Sequence, residues 1–199
     1  MDDMMAPPGA KTPPGTTEAR AVSAAPTLVA FAALGGAVAL TLGAYGQVHN
    51  PTGGTIISFG FPTVLSMKAW FATFAASLAI VQLLSALWMY GKLPIGSAPS
   101  WIGVAHRWTG TAAFLFSLPV AYHCLWALGF QTTGTRQLVH SILGCAFYGA
   151  ITTKLLVLRA KDMPGWALPA VGGTLFTLLS LLWMTSSLWF FTNVGFPGV

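Results

Sequence analysis

The chain has 199 residues, 55% of them hydrophobic and only 7% charged. A soluble domain carries about 25% charged residues, so a water-facing surface cannot be built here and a soluble enzyme is close to excluded. Asp2, Asp3, Lys11, Glu18 and Arg20 crowd the first stretch, and beyond Arg20 the only acid is Asp162. That leaves no paired-carboxylate hydrolase, carboxylate-rich metal site or Ser-His-Asp triad in the main body.

Residues 1–25 are mostly Pro, Ala, Thr and Gly with mixed charge. Such a segment buries too little surface to order itself, and a disordered cytoplasmic tail is expected. A first span follows from Pro26 to Val48; it is too long for the h-region of a signal peptide and lies behind too long a leader. The link 49–64 (HNPTGGTIISFGFPTV) is the one long loop, uncharged and carrying Ile56, Ile57, Phe59 and Phe61. The second span is Leu65–Tyr90 and the third Trp101–Phe130. A tight hairpin, 131–136 (QTTGTR), leads to the fourth, Gln137–Leu158, and the fifth is Trp166–Phe191. Each exceeds or approaches the roughly 20 apolar residues that cross a bilayer. The fold expected is all-α: a membrane helix bundle of five transmembrane helices over 26–192, with a short outer tail, 193–199.

Cations set the orientation. With five spans, Lys11, Arg20, Lys92, Arg107, Lys154, Arg159 and Lys161 share one side, and Lys68 and Arg136 the other. This puts the N-terminus in the cytoplasm and the C-terminus outside. Lys154, Arg159 and Lys161 read as snorkelling anchors, and Arg107 as a contact to anionic lipid. Cys124 and Cys145 sit at different depths, so they read as small buried hydrophobes and not as a disulfide. The net charge of +5 belongs to the cytoplasmic collar and gives no support to nucleic-acid binding.

Ionisable groups inside spans are rare and point to function. Counted from the cytoplasmic ends of their helices, His49 and His123 lie roughly 33 Å up and His140 roughly 27 Å up. Three imidazoles from three helices are thus expected at the outer side. His106 stands near the cytoplasmic end, level with Lys154. Neutral imidazole ligates iron, copper and zinc, and two histidines from different helices can hold a b-type haem. Gly110 and Gly144 follow His106 and His140 by one turn on the same face, where a missing side chain would admit a flat macrocycle. Lys68 and Arg136 stand at the outer rim, where haem propionates need cations. Pro119 should kink span three and free the carbonyl of Leu115, aiming His123 inward.

His106 and His123 are 17 positions apart, about 100° out of phase on a straight helix. One outer haem therefore suits the pattern better than two. Spans three and four, joined by a tight hairpin, are expected to pack too closely to sandwich that haem. The ligand pair would then be His49 with His123, leaving His140 for a propionate or a quinone. Two other readings stay open. One is a copper site of His49, His123, His140 and Cys124 or Met67. The other is a non-enzymatic scaffold or accessory subunit of a larger membrane complex, which the small residues and acid-free spans suit equally well.

The stretch WIGVAHRWTGTAAFLFSLPVAYHCLWALGF, followed by LVHSILGCAFYGAITTKLLVLR, resembles a family of small, uncharacterised integral membrane proteins of actinobacteria over about residues 65–192. More distantly, the H-R-x-x-G at His106–Gly110 and the H-x-x-x-G at His140–Gly144 are similar to helices of the cytochrome b561 and ferric-reductase-like group. That resemblance implies a bacterial plasma membrane, b haem held by His106, His123 and His140, and electron exchange with a quinol or an outside redox partner. The chain departs from the group at the cytoplasmic end, where Lys154 stands in place of a second histidine.

Overall fold

The computed structural model describes residues 14–54 and 57–195, with side chains from Ala24 onward. Five helices in it are long and apolar enough to cross a membrane. They are α1 (Pro14–Val48), α2 (Val64–Met89), α3 (Ile102–Leu128), α4 (Thr135–Arg159) and α5 (Ala167–Asn193). No strand occurs among the described residues. The expected spans agree closely, except that α1 begins at Pro14, ahead of Pro26; its apolar, membrane-length part is Ala24–Val48. The expected tail lies outside the described residues up to 13, and residues 14–25 are helical backbone. Of the expected outer tail, 196–199 lie outside them too.

The helix ends follow local chemistry. Thr63 is extended and its hydroxyl accepts from Ser66 N–H at 3.0 Å, which caps α2. Gly91, at φ +64°, ends the same helix: Lys92 N–H reaches Leu87 O at 2.8 Å and Gly91 N–H reaches Trp88 O at 2.9 Å, a Schellman closure. Below Pro119 the end of α3 widens to a π-helical turn, His123–Leu128. The link after α1 satisfies carbonyls at the end of α3: Thr52 N–H and Gly53 N–H donate to Trp126 O and Ala127 O.

The helices form a ring. α1 packs on α4, α4 on α5, α5 on α2, α2 on α3, and the π turn of α3 returns to α1. Large side chains such as Leu40, Leu115 and Trp108 face outward, while the interior holds Ala69, Ala75, Ala79, Ser66, Ser85 and Ser187. Lipid is as apolar as leucine, so helices here gain little by hiding large side chains and are held by close approach and hydrogen bonds. Both devices are present. Ser187 Oγ donates to Ala69 O at 2.9 Å and Trp183 Nε1 to Thr73 Oγ1 at 3.0 Å, joining α5 to α2. On α1 and α4, Gly35 and Gly149 face each other so closely that a Cβ on either would collide with the other's backbone.

One expectation is corrected. α3 and α4 are not packed on each other despite their short link. They stand apart around a cavity, bridged by Tyr148 of α4, whose hydroxyl lies 2.9 Å from Ser117 Oγ and 3.1 Å from Ser117 O of α3.

Candidate ligand cavity and its histidines

The cavity is walled by all five helices. Leu42, Ala75, Ala121, Gly144, Tyr148 and Leu182 represent its mostly apolar lining. It leaves about 100 Å³ for the centres of water-sized molecules, several times the ~10–15 Å³ that one water requires. On α4 it runs from His140 to Tyr148, roughly 12 Å along the helix. Tyr148 and Ser117 form its floor. Gly144 opens onto it: a Cβ there would meet only Leu182 Cδ2, at 4.0 Å.

Its upper end is polar. His140 and Cys124 both line it. Thr185 Oγ1 lies 2.9 Å from His140 Nδ1 and 2.9 Å from Leu181 O, so this hydroxyl ties His140 to α5. Arg136 completes the rim. It donates to Thr185 O at 2.8 Å and its guanidinium lies 4.0 Å from the ring centroid of Trp189.

His123 is handled differently. Its Nδ1–H donates to Pro119 O at 2.8 Å, and its ring is only 3% exposed. Its Nε2 is buried and has no partner. His123 borders a second cavity with Ile57, Phe59, Leu118, Pro119 and Tyr122. Successive helical residues point about 100° apart, so His123 and its neighbour Cys124 serve different spaces.

The other two histidines have structural partners. His49 donates from Nε2 to Trp126 O at 3.1 Å and stacks on Tyr45, with ring centroids 5.0 Å apart. His106 lies 2.7 Å from Ser85 Oγ through Nδ1, and Gln82 donates to both His106 O and Thr109 Oγ1. Gly110 faces Gln82: a Cβ there would come within 2.9 Å of its Oε1. His106 and Gly110 thus lock α2 to α3. Gln82→Ala should lower thermal stability by about 0.5–2 kcal/mol in detergent, the range of interhelical polar contacts in membranes. An unchanged melting curve would show that this lock contributes nothing.

The structure brings His140, Cys124 and Gly144 to one cavity, and places Arg136 on Thr185 and Trp189 of α5. It sends His123 to another cavity, His49 to the α1–α3 seam and His106 to the α2–α3 seam. No three His, Cys, Asp or Glu among the described residues form a group that could hold a metal ion, so the copper reading finds no ligand set there. Met67 is fully buried at the start of α2. Sequence reasoning missed Thr185, Ser117, Tyr148 and Gln82. Each is an ordinary span residue until its facing helix is known.

A family model described as a family of unknown function (DUF6529) matches residues 27–198. The chain belongs to that family. No curated protein and no solved structure matches it.

Proposed function

We propose that this member of the family is a multi-pass protein of a bacterial plasma membrane that binds a quinone-like molecule in its central cavity and takes part in membrane electron transfer. The observation that carries this is the cavity itself: apolar walls from five helices, with His140 and Cys124 on its wall. A quinone ring is flat and apolar and carries two carbonyl acceptors. His140, on the cavity wall, can hydrogen-bond such an oxygen. The cation bias, seven against two, supports a cytoplasmic N-terminus and sets this polar end toward the outside.

A b-type haem held by two histidines finds less support, because His123 and His140 border different cavities. As the residues stand, they do not fit such a group. What favours a haem as a second reading is His123 alone. A buried imidazole with Nδ1–H on a carbonyl and a free Nε2 is the arrangement of a metal-ligating histidine.

Two measurements on protein purified in mild detergent test these readings. Mass spectrometry of an organic extract is expected to find a quinone. Added decylubiquinone is expected to raise stability by ~2.7 kcal/mol at a hundredfold excess over its dissociation constant. The reduced-minus-oxidised spectrum should lack a Soret band; its presence would favour the haem. Absence of quinone, stabilisation and haem bands together would overturn both and leave the scaffold.

A further inference from the structure

His123 keeps one nitrogen that no contact within the protein uses. Its Nδ1–H is committed to Pro119 O at 2.8 Å, and its Nε2 is buried without a partner. The two ring nitrogens point apart, so Nε2 faces away from that carbonyl. His123 lines the second cavity and not the central one. Ile57, Phe59, Leu118 and Pro119 give this second cavity apolar walls, and Tyr122 adds another ring. It leaves about 250 Å³ for the centres of water-sized molecules. A bound water needs roughly two to four polar partners, and among the wall side chains only Tyr122 could add one to His123. The loop wall is held in place: Thr52 and Gly53 N–H donate to the end of α3, and the Phe59 ring lies 5.3 Å from that of Phe71 on α2. No acid lies between Arg20 and Asp162 to pair with a buried imidazolium. The neutral ring, with its proton on Nδ1, can only accept at Nε2.

We infer that the second cavity binds a phenolic compound, a hydroquinone included, whose hydroxyl donates a hydrogen bond to His123 Nε2. Phe59 and Tyr122 supply ring faces for it. The acceptor sets the selectivity. A quinone carries carbonyl acceptors and no donor, so its oxygen would set a lone pair against a lone pair. The site therefore takes the reduced form and turns away the oxidised one. Naming a hydroquinone rests on the quinone reading above; the preference for a hydroxyl does not.

Purified full-length protein, isotope-labelled at the histidine nitrogens, is titrated in mild detergent with para-propylphenol and with para-propylanisole, which keeps the shape but lacks the O–H. The phenol is expected to bind about ten-fold more tightly than the ether. It should also move the Nε2 resonance of His123, which the ether leaves in place. His123→Phe should abolish the preference. Gly144→Phe, which fills the central cavity, should keep it. If His123→Phe does not fold, the Nε2 resonance of the wild type carries the test. Equal affinities or an unmoved resonance would overturn the inference. So would a preference that survives His123→Phe, or one that is lost in a folded Gly144→Phe protein. A haem bound at Nε2 takes the same lone pair and would overturn it too. Protein that purifies without quinone but shows the phenol preference would uphold this site and count against the central-cavity reading.

Discussion

Gly149→Leu is expected to remove the α1–α4 pairing and to destabilise the protein by more than about 3 kcal/mol, beyond the usual 1–3 kcal/mol of an overpacked core. A Cβ at Gly149 would run into the Gly35 carbonyl and come within 3.1 Å of Ala39 Cβ. The obstacle is backbone, which cannot rotate aside, and three more carbons must follow the Cβ. Thr153, whose hydroxyl lies 3.3 Å from Phe31 O across the same seam, would lose its partner as the helices part. Gly36→Leu is the control. That position has open space around it and should melt like the wild type. Thermal unfolding in detergent reads both, and a Gly149→Leu protein with wild-type stability would refute the close crossing.

Gly144→Phe should do the reverse: spare the fold and abolish the ligand. It lies five residues before Gly149 on α4, but it looks into the cavity. The only neighbour a Cβ would meet is Leu182 Cδ2 at 4.0 Å, an ordinary contact. A benzyl group there occupies the space proposed for the quinone ring. Filling apolar space commonly adds about 0.5–2 kcal/mol of stability. Quinone retention should fall about a hundredfold or more, since one flat ring replaces another. Retained quinone in a folded Gly144→Phe protein would move the site out of this cavity.

The spans were legible because apolar runs of membrane length need no tertiary information. Arg136 sits on Trp189 beside His140's partner Thr185. The rest depended on facts a sequence does not display. Gly110 and Gly144 look alike, each one turn after a histidine, but Gln82 fills the space beside one and a cavity lies beside the other. Cys124 read as a small hydrophobe, and only the facing helix shows that it shares a cavity with His140. His123 was aimed inward by the Pro119 kink, but a kink does not tell which neighbours the ring meets, and its Nδ1 turns back to Pro119 O. Matching depth correctly brought His123 and His140 to one end of the bundle, but depth carries no information about facing.

The order of helices around the ring has a consequence for biogenesis. α2 and α3 are consecutive in the chain and can pair as soon as both are inserted, whereas α1 packs chiefly on α4. Gly35 and Gly149 are 114 positions apart. At ~5–20 residues per second of synthesis, Gly35 waits roughly 6–23 s for its partner surface. Throughout that interval the small-residue face of the first helix stands open in the bilayer beside the translocation machinery. The arrival of the fourth helix thus gives the first its mate, and the ring closes only when the fifth joins α4 to α2.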